Sequence, residues 1–175
     1  MKISSESIAS VLCYYGFSRS VAGEEEFARA VDAVQKMFLT GRGLLLSGAA
    51  GCGKTRLMTA IMKSFRQGGE MFFYCKEPND MRYLRNECDS VLDSNVYIDD
   101  MGSEEIAREF GNTVDVIGDF VQRYHYRGRK RLLVTTNLTS GQINERYGGR
   151  VLDRLLEMCV VFKMSGKSKR ERVVV

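Results

Sequence analysis

The octapeptide Gly48-Ala49-Ala50-Gly51-Cys52-Gly53-Lys54-Thr55 constrains this chain more than any other stretch. It reads G-x-x-x-x-G-K-T, follows the apolar run Leu44 to Leu46 and leads into Leu57-Met58-Thr59-Ala60-Ile61-Met62, whose character is helical. Between a strand and a helix, such a loop turns its backbone N–H groups and the positive end of the helix dipole onto one anion. The pattern predicts a phosphate cradle made by Gly48, Ala49, Ala50, Gly51, Cys52, Gly53, Lys54, Thr55 and Arg56. Lys54 would reach the β- and γ-phosphates of a nucleotide, and the Thr55 hydroxyl would hold Mg²⁺. The plainer alternative is a glycine-rich turn with a solvated lysine.

A phosphate loop of this kind needs a parallel sheet behind it, and 175 residues, 44% of them apolar and 27% charged, suffice for one soluble domain with a full core. The five cysteines are scattered without a C-x-x-C pair, and His125 is the only histidine, so a zinc site or disulfide framework is not expected. Cys75 and Cys159 sit in apolar runs and read as buried thiols; Cys52 lies in the loop itself. No apolar stretch approaches membrane-spanning length and no signal peptide is evident, so a cytoplasmic protein with no membrane partner is expected. The net charge of +4 is uneven: Arg123, Arg127, Arg129, Lys130 and Arg131 cluster, as do Lys163, Lys167, Lys169, Arg170 and Arg172.

Helices are expected over residues 4 to 15, with Ile8, Val11, Leu12 and Tyr15 on one face, and after Gly23, where Phe27, Ala30, Val31, Val34 and Phe38 share a face until Gly41. The first is either a docking helix or one that packs on its own core. Met71 to Cys75 reads as a strand, Asp80 to about Ser90 as a polar helix, and Val96-Tyr97-Ile98-Asp99-Asp100 as a strand ending in two carboxylates. Glu104 to Phe110 and Thr113 to Tyr126 look helical, Leu132 to Asn137 is a strand, Ile143 to Glu157 two short helices, and Cys159 to Phe162 a last strand. Five strands alternating with helices predict a three-layer α/β fold on a mainly parallel sheet.

A parallel strand delivers its C-terminal residues to the phosphate loop. Asp99 could there hold the Mg²⁺ shell while Asp100 orients or deprotonates a water. Asn137 ends its strand as a contact to the γ-phosphate or water, or as a helix-capping asparagine. Arg150 and Arg154 share a helix face; Arg154 is either a finger into a neighbouring subunit or a surface partner of Glu145, Asp153 or Glu157. Arg123 to Arg131 interleaves aromatics with cations, as single-strand nucleic-acid surfaces do, or simply ends a helix with cations that suit its dipole.

Taken in order, G-x-x-x-x-G-K-T at 48 to 55, Y-I-D-D-M-G-S-E at 97 to 104, V-T-T-N at 134 to 137, Y-G-G-R-V-L-D-R-L at 147 to 155 and G-K-S-K-R at 166 to 170 resemble the AAA+ ATPases of the DnaC/DnaI helicase-loader type and the related IstB-type transposition ATPases. The resemblance implies a three-layer P-loop NTPase of AAA+ type with a five-stranded, mainly parallel sheet and little or no helical lid. An N-terminal helical segment over 1–41 would precede an ATPase core over 42–175. It makes Lys54 and Thr55 Walker A, Asp99 and Asp100 Walker B, Asn137 sensor 1, Arg154 the arginine finger and Arg170 a sensor-2-like arginine. It further implies ATP and Mg²⁺ as ligands, ATP hydrolysis, a homo-oligomer, single-stranded DNA, and a replicative helicase or a transposase as partner.

Two other functions fit parts of the sequence. A small P-loop kinase acting on a nucleotide or metabolite would suit the size, with Arg123 to Arg131 as a phosphate-clamping lid. A GTPase would suit Asp99-Asp100-Met101-Gly102 as D-x-x-G, but the chain contains no N-K-x-D sequence to read guanine.

Overall fold

The computed structural model describes residues 4–76, 89–104, 107–109, 112–127 and 130–165. Helix α1 (Ser5–Tyr14) begins where the Ser4 side chain accepts a hydrogen bond from the Ser7 N–H, which satisfies one of the donors a helix start leaves free. After α2 (Arg19–Ala22), helix α3 (Glu24–Thr40) opens with three glutamates at the positive end of its dipole and stops at Gly41. Strand β1 (Gly43–Ser47) then leads through the glycine loop into α4 (Lys54–Gln67).

The remaining elements are β2 (Phe72–Cys75), α5 (Asp89–Leu92), β3 (Asn95–Met101), β4 (Ala107–Glu109), β5 (Asn112–Val114), α6 (Val116–Arg127), β6 (Leu132–Thr136), α7 (Ser140–Tyr147), α8 (Gly149–Met158) and β7 (Cys159–Lys163). Strands β2, β3, β6, β1 and β7 lie in that order in one sheet, and every pairing in it is parallel. The expected five-stranded α/β fold is therefore the observed one.

Side chains alternate across the sheet as the pleat requires. Leu44, Leu46, Tyr97 and Leu133 face one layer, made by α1, α3 and α4, where Leu12, Phe27, Met37, Leu57, Ile61 and Phe65 are buried. Leu45, Val96, Ile98 and Val134 face the other, made by α6, α7 and α8. Ile8 and Leu12 put α1 in the same core as β1 and α4. Burying a side chain such as Leu57 or Ile61 contributes about 1.5–3 kcal/mol, so the helix that carries Lys54 is held by its own apolar face rather than by the loop.

The described residues of the stretch Glu104 to Phe110 do not form the expected helix. The described residues there make an antiparallel pair instead, with Ala107 opposite Val114 and Glu109 opposite Asn112. Thr113 and Val114 are β-branched and favour extended backbone, so α6 starts only at Val116. Asp115 precedes it and accepts from the Gly118 N–H at 2.7 Å. Desolvation by burial raises the Asp115 pKa, although that hydrogen bond acts the other way. Most of the helix expected over Asp80 to Ser90, and Cys88 within it, lies outside the described residues, as do Arg129 and Arg170.

Candidate functional site

Parallel strands bring their C-terminal ends to one edge. The chain crosses from β1 to the far strand β2 and later returns to place β6 beside β1, so the order reverses between β1 and β6. A crevice at that point collects whatever follows β1, β3 and β6. Those segments are the glycine loop, Asp99 with Asp100, and Asn137.

Backbone conformation in the loop depends on glycine. Gly48 has φ +154° and Gly53 φ +108°, and a Cβ on Gly48 would lie 2.7 Å from the Met164 carbonyl oxygen. Met164 in turn donates its N–H to Ser47 O at 2.8 Å, so the segment after β7 braces the start of the loop. No side chain caps the N-terminus of α4, which leaves its first-turn N–H groups and its dipole for an anion. Arg56 and Thr55 are exposed on that first turn, Cys52 is buried behind it, and Ala49 and Ala50 are exposed.

Lys54 is buried, and its ammonium donates to Gly48 O at 2.8 Å, Ala49 O at 3.0 Å and Asn137 Oδ1 at 2.7 Å. The amide of Asn137 then donates from Nδ2 to Asp100 Oδ1 at 2.5 Å. Since an ammonium only donates and a carboxylate only accepts, this pair of contacts sets the orientation of the amide. A continuous chain thus runs from Lys54 through Asn137 to Asp100. Asn137 caps no helix; the cap of α7 is Thr139, in a reciprocal capping box with Gln142.

Asp99 and Asp100 sit on a bulge. Ile98 pairs with Val134 and Met101 with Thr136, so two residues of β3 stand opposite the single residue Thr135 of β6. Asp100 takes φ +54°, the one non-glycine positive φ among the described residues, and aspartate is among the side chains that best tolerate it. Thr135 stabilises the irregularity from the partner strand. Its hydroxyl donates to Asp99 Oδ1 at 2.6 Å and accepts from the Asp100 N–H at 2.8 Å. The bulge brings both carboxylates to the same crevice, where regular pleating would send consecutive side chains to opposite faces.

Thr55 Oγ1 lies 3.4 Å from Asp99 Oδ1. A hydroxyl and a carboxylate are hard oxygen donors of the type Mg²⁺ takes together with phosphates and water, so the residues present fit the metal that the loop implies. Three further side chains surround this cluster that the sequence reading did not single out: Thr135, Tyr97 and Tyr74. Both tyrosine hydroxyls donate to Asp99. Thr135 and Tyr97 carried one signal in sequence, being polar groups inside apolar strand runs.

Arg154 is not hydrogen-bonded to this cluster within the chain. Its guanidinium meets Glu157 at 3.1 Å and His125 Nε2 at 3.5 Å, and His125 is itself 2.6 Å from Glu157. The surface pairing with Glu157 weighed from sequence is thus present. Arg150 is exposed.

The basic stretch is divided by the fold. Arg131 stacks its guanidinium over Phe65 and Phe38, 5.0 and 5.9 Å from the ring centroids, and pairs with Glu70 at 3.2 Å. Tyr124 is buried and donates to Ser94 O and Arg131 O. Arg123, Tyr126, Arg127 and Lys130 stay exposed. They lie where α6 ends and β6 begins, at the edge of the sheet opposite the glycine loop.

No helix among the described residues is long and apolar enough to cross a membrane. No curated protein sequence matches the chain. Among solved structures, the crystal structure of DnaI superposes with a TM-score of 0.63 at 18% identity, over 87% of this chain and 93% of that one. AMPPCP-bound DnaA from Aquifex aeolicus gives 0.54 at 14% identity, over 81% of this chain and 47% of that one. A DNA replication initiation factor gives 0.56 at 13%, over 81% and 46%. The chain spans about half the length of the latter two, and at these identities the likeness is one of fold. The family model described as Novel STAND NTPase 3 matches residues 26–174. Because that match runs from α3 past β7 and takes in the glycine loop, the bulged carboxylate strand and Asn137, the chain belongs to the novel STAND NTPase 3 family.

Proposed function

We propose that the protein binds and hydrolyses ATP with Mg²⁺ and works as an ATP-switched oligomer on single-stranded DNA, in the manner of DnaC-type helicase loaders. The observation that carries the hydrolytic reading is the hydrogen-bonded chain Lys54–Asn137–Asp100 beside the Thr55–Asp99 pair. In a kinase, the group beside the γ-phosphate serves an acceptor substrate; here Asp100 is tied to the residue that also touches the phosphate-binding lysine. The fold shared with DnaI and with a DNA replication initiation factor supports the replication reading. The partner is then a replicative helicase, or a transposase in an IstB-like role.

Mg²⁺ when bound would neutralise charge on the β- and γ-phosphate oxygens. The chain's own residues do the rest. Lys54 exchanges its carbonyl partners and Asn137 for phosphate oxygens, and α4 directs its dipole at them. The amide of Asn137 is freed to report the γ-phosphate to Asp100. Asp100 accepts a proton from, or orients, the attacking water, and its short side chain is brought forward by the bulge. Arg154 leaves Glu157 and enters the site of the next protomer, where its charge stabilises the transferring phosphoryl group. Arg170 serves as the sensor-2-like arginine. Arg123, Tyr126, Arg127 and Lys130 offer cations and one exposed ring to single-stranded DNA.

Sedimentation with and without ATP and Mg²⁺, repeated with a fluorescent single-stranded oligonucleotide and with Arg154→Ala, tests this reading. ATP-dependent assembly on the oligonucleotide, lost in the variant, is the expected result. An ATP-bound monomer indifferent to DNA would overturn it, and transfer of labelled γ-phosphate to a small acceptor would replace it with the kinase.

A further inference from the structure

The carboxylate of Asp99 has two unequal oxygens. Oδ1 accepts from Tyr97 OH at 2.6 Å and Thr135 Oγ1 at 2.6 Å, with Thr55 Oγ1 at 3.4 Å. Oδ2 accepts from Tyr74 OH at 3.1 Å. Tyr97 and Tyr74 are direct cross-strand partners on β3 and β2, and their rings stack with centroids 4.9 Å apart and planes 7° from parallel. They differ in access to water, since Tyr97 is fully buried while Tyr74 is 40% exposed.

These differences separate two tasks. The Tyr97 bond is short, dry and made to the oxygen that Thr135 also holds. The Tyr74 bond is longer and half in water, where a hydrogen bond is exchanged for solvent at small cost. It also occupies the one oxygen of Asp99 that no β6 or α4 side chain touches.

We propose that Tyr74 is a displaceable cap on Asp99, competing with metal-bound water for Oδ2, while Tyr97 is a permanent support that positions the same carboxylate. This rests on the reading of Asp99 as the Mg²⁺ carboxylate. Tyr97 opens the Y-I-D-D stretch, whereas Tyr74 belongs to no motif; the pair exists because the register of β2 on β3 brings residues 74 and 97 face to face. Before metal binds, Tyr74 satisfies the charge of Asp99. Removing its hydroxyl favours the metal-bound state by deleting the competitor, whereas removing that of Tyr97 disfavours it by letting the carboxylate turn.

The test is an equilibrium titration of the full chain with a fluorescent, non-hydrolysable ATP analogue at varied Mg²⁺, for wild type, Tyr74→Phe and Tyr97→Phe, with binding in EDTA as reference. Both variants retain the ring stack. Tyr74→Phe is expected to lower the half-saturating Mg²⁺ roughly three- to tenfold, and Tyr97→Phe to raise it by a similar factor, with metal-free binding unchanged. A purely structural role for Tyr74 leaves the Mg²⁺ requirement of Tyr74→Phe unchanged or increases it, and either result overturns the proposal. If Tyr97→Phe does not fold, the half-exposed Tyr74 position decides alone. Wild type that binds the analogue without any dependence on Mg²⁺ would remove the metal-carboxylate reading and the cap with it; Mg²⁺-dependent wild type with an indifferent Tyr74→Phe removes the cap only.

Discussion

Thr135→Val is the perturbation that best separates a site built by the bulge from one built by the motif alone. The substitution keeps the shape of a fully buried side chain and removes one oxygen. That oxygen donates to the Asp99 carboxylate at 2.6 Å and receives the Asp100 N–H at 2.8 Å. A hydrogen bond to a charged acceptor is worth about 1.5–3 kcal/mol, and a backbone donor left unsatisfied in a part-buried place costs about 1–3 kcal/mol. Asp99 keeps its bond from Tyr97 and is only half-buried, so the lower part of the combined range applies, about 2.5–4 kcal/mol. For a domain of this size each kcal/mol lowers Tm by about 2–4 °C. Urea denaturation followed by far-UV circular dichroism, together with steady-state ATP hydrolysis, measures both consequences. The expected result is the stated destabilisation and at least a tenfold loss of kcat, because Asp100 loses the contact that holds its left-handed backbone; Thr135→Ser, which keeps the oxygen, should retain most of the activity. A loss below about 0.5 kcal/mol with unchanged hydrolysis would refute the claim that Thr135 maintains the bulge.

Asp100→Asn keeps a residue suited to positive φ, so unfolding free energy should move by less than about 0.5 kcal/mol and nucleotide Kd little, while hydrolysis falls roughly a hundredfold or more; comparable activity in the variant would remove Asp100 from the mechanism. Glu157 has its pKa lowered by its hydrogen bond from His125 and, next, from Arg154. A lowered folded pKa means that this stabilisation is present above the unfolded value of 4.5 and is lost as pH falls through the lower folded value. The Tm of wild type should therefore drop toward that of Glu157→Gln as the pH is taken below 4.5, and a constant gap between the two would contradict the pairing. Burial pushes the Cys159 thiol up to about 12, and Cys75 is equally buried. Maleimide labelling of the folded chain at pH 7.5 followed by peptide mapping should mark the exposed Cys13 and spare both; early labelling of Cys159 would mean that the α8–β7 layer opens. Gly48→Ala places a Cβ against the Met164 carbonyl and should lower both Tm and ATP affinity, which a thermal shift with and without nucleotide reads directly.

Sequence alone determined the parts of this protein whose physics is contiguous in the chain. Gly48 to Thr55 needs only its own backbone freedom, the strand before it and the helix after it, and each strand of the five-stranded sheet announces itself by an apolar run. The alternation of those runs with helical faces was enough for a parallel three-layer fold, and a parallel fold is enough to send Asp99 and Asn137 to the glycine loop. Tertiary structure decided whatever depends on which strands are neighbours and in what register. The bulge at Asp99 and Asp100 is a mismatch with β6, visible only once Val134 and Thr136 are paired. Asn137 joins Lys54 to Asp100 because three strand ends meet. Arg131 left the basic surface for two phenylalanines of α3 and α4, and Ala107–Glu109 took pairing with β5 in place of the expected helix. Tyr74 and Tyr97 are 23 residues apart and share no local motif; only the register of β2 on β3 stacks them and aims both hydroxyls at one carboxylate.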